Sequence, residues 1–279
     1  MKESHKKGLW KAIVSVVLVL IMVIVLFPVF ITISVSFKPP PEVLKYPPTF
    51  LPIRPTLQNY TNLLIGRNFF GYIINTIYIA AVTILFSLGI GTLAAYALSR
   101  HEFKGRKLLS NSVLLAYMFP QVLLVIPLYM NMNSWGLVDT RTSLIIAYIT
   151  FSLPLCIWLL KGYFDGLPPD IENSARIDGC SEMGILVRIV LPLSAPGVMS
   201  AGAFSFMLVW LEYLFAMTFV TTGAKLTITA GIASVVGQYW AGYGMLMAAS
   251  VIATVPAIFF FAVAQRFVIG GLLAGAVKG

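Results

Sequence analysis

Few residues in this 279-residue chain have types and spacings that could do chemistry. Glu212, in Trp210-Leu211-Glu212-Tyr213, is an isolated carboxylate inside an apolar run. Such a group is costly at membrane depth and faces a cavity or a partner rather than lipid. Two readings of it stand: it lines a polar path or bonds across a subunit interface, or it reaches the membrane surface from a helix set higher. One carboxylate supplies neither the chain of ionisable groups that a proton relay uses nor the nucleophile, base and metal of a hydrolase. Gly89-Ile90-Gly91-Thr92-Leu93-Ala94 fits a dinucleotide-loop pattern. That pattern requires a preceding strand, and here it lies in a long apolar helix, where small residues serve close helix contact. No G-x-x-x-x-G-K-[ST] loop occurs, so ATP binding by this chain is not expected. His5, His101, Cys156 and Cys180 are scattered and suggest neither a metal cluster nor a disulfide framework.

The elements that must position these residues follow from composition. Charged residues make up 10% of the chain, AVILMFWYC residues 59%, and the mean hydropathy is +0.91. A soluble domain carries roughly 25% charged residues, so the chain is read as an integral membrane protein. Charges leave six gaps long enough to cross a bilayer, each near the roughly 20 residues a span needs: 12–37, 68–99, 108–138, 142–160, 189–211 and 226–265. They predict an all-α polytopic fold with six transmembrane helices, cores near 12–36, 71–98, 108–130, 142–160, 197–220 and 244–266. The first gap exceeds the roughly 7–15 apolar residues of a signal peptide, so it is read as a retained span. Pro120, Pro127 and Pro154 lie within spans and kink them, either at a pathway or as ordinary bends.

With six spans, both termini share a side, and that side holds thirteen Lys and Arg against six on the other. The bias places both termini in the cytoplasm and accounts for the net charge of +9 without nucleic acid. Residues 38–67, with seven prolines, read as an irregular external loop, and 221–243 as a second external connection.

The loop 161–197 has helical signals of its own. Leu167-Pro168-Pro169-Asp170 is a proline-led start with acids in the first turn. Glu172 and Arg176 stand i, i+4, and Gly179 follows Asp178 where a helix C-terminus wants a positive φ. A second short helix fits 181–190, with Met183, Leu186, Val187 and Val190 on one face, until Leu191-Pro192 stops it. From the residues alone this is either a connector lying on the headgroups or a docking element for a soluble partner.

At this loop the chain resembles the membrane subunits of binding-protein-dependent ABC importers, in the carbohydrate branch and close to the maltose-type G subunit. Their signature E-A-A-x3-G-x9-I-x-L-P matches Asn173-Ser174-Ala175, Gly179, Ile189 and Leu191-Pro192. AAYALSRHEFKGRK at 94–107, FPQVLLVIPLY at 119–129, GLVDT at 136–140 and RFVIGGLLAGAVKG at 266–279 agree with it. Departures are Asn173 for the signature Glu, Ser174 for its first Ala, and Leu211 where relatives often carry Asn.

The resemblance implies a type I ABC importer permease fold. Residues 1–70 would hold the N-terminus, first span and external loop, 71–266 the importer domain with its coupling loop 161–197, and 267–279 a cytoplasmic tail. It implies a bacterial-type inner membrane location and half of the pathway for a sugar or oligosaccharide delivered by an external binding protein. Its partners would be a homologous second permease subunit and two ATPase subunits, which use the ATP and Mg; this chain would bind no cofactor. The coupling loop would act through Asn173, Ser174, Ala175, Asp178, Gly179, Met183, Leu186, Val187, Ile189, Leu191 and Pro192. Glu212, Pro120 and Pro127 would belong to the pathway or an interface. The alternative is a secondary transporter or channel that needs no ATPase; a membrane-embedded enzyme comes third.

Overall fold

The computed structural model describes the backbone of residues 2–236 and 242–276, and the side chains of 10–235, 242–262 and 265. All regular elements among them are helical. In chain order they are α1 (Lys2–Ser36), α2 (Pro40–Val43), α3 (Gln58–Thr61), α4 (Phe69–Arg100), α5 (Arg106–Met118), α6 (Gln121–Ser134) and α7 (Arg141–Gly166). There follow α8 (Pro169–Ile177), α9 (Glu182–Ile185), α10 (Leu191–Leu193), α11 (Ala195–Leu211), α12 (Leu214–Phe219), α13 (Ile228–Val236) and α14 (Tyr243–Ala276). One-turn π-helices occupy Asn62–Gly66 and Leu186–Val190.

Among the described residues four helices are long and apolar enough to cross a membrane, and two bent helix pairs would raise the number to as many as six. The six expected spans are matched only when each bent pair is counted as one crossing. The third bends by 95° between α5 and α6. Pro120 causes this: it forces Phe119 into the extended region (φ −68°, ψ 131°) and itself takes the N-cap of α6. A second bend, of 79°, separates the α9–α10 segment of the loop 161–197 from α11, and α11 stops at Leu211 rather than continuing to 220. The last helix runs through Ala276, beyond the expected core. The 266–279 stretch of the resemblance has its side chains outside the described residues, as does 237–241 within the second connection.

The chain forms two compact units. The first comprises Met1–Phe69 and Ile232–Thr254. Residues 10–30 of α1 are exposed on every side, which suits a helix surrounded by hydrocarbon. Segment 38–67, expected to be irregular, is ordered around Glu42. Its carboxylate accepts the Ile53 (2.7 Å) and Arg54 (3.3 Å) N–H groups and the Thr49 hydroxyl (3.3 Å). The Ile53 bond is the chief reason its carboxyl is held below the usual range. Asn59 adds bonds to the carbonyls of Ser36 and Lys38.

The second unit is Phe70–Gly231 with Val255–Gly279. Here α4 and α11 pack on α7 through small residues. A Cβ on Gly91 would lie 3.0 Å from the Cys156 Cβ, and one on Gly197 would enter the Tyr163 ring. Gly91 of the G-x-G-x-x-A run is thus a packing residue, as expected, whereas Gly89 faces open space. Ser152 donates to Ser205 (2.8 Å), which lies 3.2 Å from the Cys156 sulfur, so a polar seam joins α7 to α11.

Candidate functional site

The loop between α7 and α11 folds as its sequence dictates. Pro168 is extended, Pro169 opens α8, and Asp170 and Glu172 sit in the first turn, where acids favour a helix N-terminus. At the other end Gly179 takes φ +82°. Its N–H bonds to Arg176 O (3.1 Å) and the Cys180 N–H to Ala175 O (3.0 Å). These two bonds are the Schellman pair that satisfies the last carbonyls of a helix. Ser181 then caps α9 by accepting the Gly184 N–H (3.2 Å).

The inner side of α8 is electrostatic. Glu172 is only 2% exposed and accepts from Arg100 Nε (2.6 Å) and the Tyr96 hydroxyl (3.1 Å), both on α4. The Tyr96 hydroxyl also lies 3.1 Å from Glu182 Oε2, and Arg100 Nη2 donates to Leu167 O (3.3 Å). Arg176 clasps Glu182 through Nε (2.7 Å) and Nη2 (3.1 Å), and reaches Asn173 Oδ1 (2.9 Å) through Nη1. The expected Glu172–Arg176 pair exists at 3.9 Å, second to the Arg100 bond. Glu172 therefore does not replace the absent signature carboxylate at position 173, because it points into the protein.

The outer side presents Asn173, Ser174, Asp178, Gly179 and Pro192, all exposed. With them stand Ile177 at 88% exposure, Met183 at 57% and Val187 at 52%. Ala175 and Leu186 are buried, and Ile189 and Leu191 half-buried. The expected face of Met183, Leu186, Val187 and Val190 is thus split. The wider stripe Ile185, Leu186, Ile189 and Val190 is the one that turns inward, joining Leu98, Leu160 and Phe164 in the core, and Met183 and Val187 are left outside. Leu191-Pro192 does not end the helix either. Pro192 lacks an N–H, and the chain widens into the π turn Leu186–Val190 just before it, with Leu191 N–H bonded to Leu186 O, then continues to Leu193.

Sequence reasoning missed Tyr96, Arg100 and Ile177. Arg100 was visible only as an orienting charge at the end of a span. Ile177 had a signal: it is a large apolar residue next to the C-cap of an otherwise polar helix.

Glu212 is not at a helix centre but in the break between α11 and α12. Its carboxylate accepts the Phe215 (2.9 Å) and Ala216 (3.2 Å) N–H groups and the buried Tyr148 hydroxyl (2.6 Å); its carbonyl accepts from the Thr229 hydroxyl. Glu212→Leu strips α12 of its cap, worth about 0.5–2 kcal/mol, and orphans the Tyr148 hydroxyl, at about 1–3 kcal/mol. The expected result is a lower thermal midpoint, partly restored by adding Tyr148→Phe; an unchanged midpoint in detergent would contradict the capping role. Pro120 and Pro127, at and inside the bent third span, are exposed and are not brought together with Glu212 by any hydrogen bond.

Asp139 (φ +60°) closes the segment after α12. It accepts from the Thr222 hydroxyl (2.5 Å), Lys225 Nζ (2.9 Å) and the Thr222 and Thr221 N–H groups (2.8 and 2.9 Å). These bonds, Thr222 first, hold its carboxyl well below the ordinary 3.8. A depressed folded pKa means that the clamp is complete above about pH 4 and weakens only as pH falls toward the folded value. Asp139→Asn removes the Lys225 ion pair and leaves Lys225 held by the Asp139 carbonyl alone (2.6 Å), so trypsin should cut after Lys225 faster in the variant; equal cutting would show that the carboxylate does not hold the segment.

Residues 87–270 match the family described as binding-protein-dependent transport system inner membrane component. The trehalose/maltose transport system permease protein MalG of Thermococcus litoralis is 39% identical over 94% of each chain. The inner membrane ABC transporter permease protein YcjP of Escherichia coli is 36% identical, also over 94% of each. Among solved structures, a chain of a bacterial ABC transporter involved in import of the acidic polysaccharide alginate superposes with a TM-score of 0.80. It is 22% identical, with 94% of this chain and 97% of that one covered.

Proposed function

The chain belongs to the inner membrane components of binding-protein-dependent transport systems and has the type I ABC importer permease fold; on that premise we propose that it forms half of the pathway for a sugar or oligosaccharide in an ATP-driven importer. The observation that carries this reading is the loop 169–193: two capped short helices whose polar inner side is bonded to α4 and whose outer side exposes Ile177, Met183 and Val187. Exposed apolar residues on a rigid polar loop fit the groove of a soluble partner, here an ATPase subunit. The carbohydrate class is supported by relatives named for trehalose/maltose and for trehalose transport. Both termini are assigned to the cytoplasm by the charge bias, which puts the docking loop on the ATP side. The second permease subunit completes the pathway, and an external binding protein delivers the ligand. ATP and Mg belong to the ATPase subunits.

The test is purification. The chain alone should hydrolyse no ATP above background, for want of a phosphate-binding loop. Purified from its own membrane, it should bring an ATPase subunit with it. Nucleotide turnover by the isolated chain, or transport of ligand by it alone in liposomes, would favour the secondary-transporter reading.

A further inference from the structure

The span α4 is bonded at its two ends to two segments that are remote from it in the chain. At one end Arg100 and Tyr96 hold Glu172 and Glu182 of the docking loop, 72 to 86 residues later. At the other end Asn75 Nδ2 donates to Ala224 O (2.8 Å) and Leu226 O (3.1 Å), about 150 residues on. Next to it Thr76 Oγ1 accepts the Ile228 N–H (2.8 Å) at the start of α13. Tyr72 lies under Gly231, where a Cβ would enter its ring. Asn75 is 3% exposed and Thr76 fully buried, so these bonds are not rim contacts. Between the two ends α4 runs for 32 residues without proline, about 48 Å at 1.5 Å per residue and longer than a bilayer core of about 30 Å. Its ends therefore lie on opposite sides of the membrane.

We propose that α4 is the strut that ties the ATPase-docking loop to the segment 221–231 on the opposite face, with Asn75 the positioning residue for that segment and Arg100 the residue that receives the loop. The proposal rests on the docking reading above. A continuous helix is stiff along its axis, so a displacement applied at Arg100 is delivered at Asn75. The delivery end is itself fixed: Asp139 grips Thr221, Thr222 and Lys225, so the tip moves as a piece rather than as separate residues. ATP binding by the ATPase subunit docked on the loop would then alter the exposed tip at 221–224. By linkage, whatever seats on the tip would alter nucleotide affinity by the same factor.

The experiment uses the assembled complex in nanodiscs, with Thr221→Cys as the reporter in a Cys180→Ser background and a charged maleimide as the probe. Labelling is timed with and without a non-hydrolysable ATP analogue. The analogue should change the labelling rate by about fivefold or more, the lower end of measured allosteric couplings. Asn75→Ala should bring the ratio to about one. Arg100→Met with Glu172→Leu, which removes the ion pair at the other end without leaving a buried charge unpaired but keeps the Tyr96–Glu182 bond and the core packing, should lower the ratio part of the way. A nucleotide response that stays undiminished in both variants overturns the strut, as does its absence in an intact complex that still imports ligand. Failure of the unmodified chain to retain an ATPase subunit overturns the docking reading instead, and a pull-down on the same sample detects it.

Discussion

Arg100→Met alone is expected to loosen the docking loop and to strip the ATPase from the complex. The substitution removes the nearer guanidinium from a carboxylate that is 2% exposed, and Glu172 keeps the Tyr96 hydroxyl and the longer 3.9 Å pair with Arg176. Breaking a buried ion pair by deleting one partner costs about 3–5 kcal/mol, because the remaining charge is left uncompensated. The loss falls on α8, a nine-residue helix whose other ties are buried Ala175 and the Arg176–Glu182 clasp. Since each 1.4 kcal/mol is about a factor of ten, amide exchange in α8 should rise by more than a hundredfold while the spans stay protected. Adding Glu172→Leu removes the stranded charge, so exchange should fall back and the ATPase should be retained again. Equal exchange in the single and double variants would show that the pair does not hold the loop.

Gly179→Val attacks the same loop through the backbone. Gly179 sits at φ +82°, and a Cβ there would meet nothing within 4 Å, so the whole penalty is conformational. That penalty is roughly 1–2 kcal/mol for a non-glycine residue in the left-handed region, and more for a β-branched one. If the turn gives way, the Schellman bonds to Ala175 O and Arg176 O are lost and the outward tilt of Ile177 and Met183 goes with them. Normal membrane levels, weak ATPase retention and little ligand-stimulated ATP hydrolysis are expected. Gly179→Asn is the control, because Asn tolerates this conformation, and it should retain the ATPase. Full coupling in the Val variant would make the loop a plain connector.

Both of these effects were partly legible in the sequence, and the division has physical causes. Local signals held. Charge-free gaps located the spans, and Pro169, the first-turn acids and Gly179 bounded α8 within a residue. What failed were features decided by contacts far apart in the chain. Arg100 and Glu172 are 72 residues apart, and no periodicity links them. Leu186 was assigned to the outer face because a four-residue stripe was counted without Ile185 and Ile189, which share its side once the π turn forms. The bend at Phe119–Pro120 was signalled by Pro120, whereas the helix break at Glu212 was missed because apolar runs measure length, not continuity. Glu212 was read as lining a polar path or a subunit interface, or as reaching the membrane surface; the helix break beside it went unseen, and the N–H donors there make it a cap.

The central claim is that this chain is the membrane half of an ATP-driven importer, and ligand uptake into proteoliposomes tests it most directly. The complex of this chain with its second permease and ATPase subunits is reconstituted with ATP on the ATPase side, and the ligand-loaded binding protein is added on the other. The account predicts accumulation that stops when ATP or the binding protein is omitted, and that fails with the Gly179→Val subunit. Accumulation that proceeds without ATP, or with this chain as the sole protein in the membrane, would contradict it.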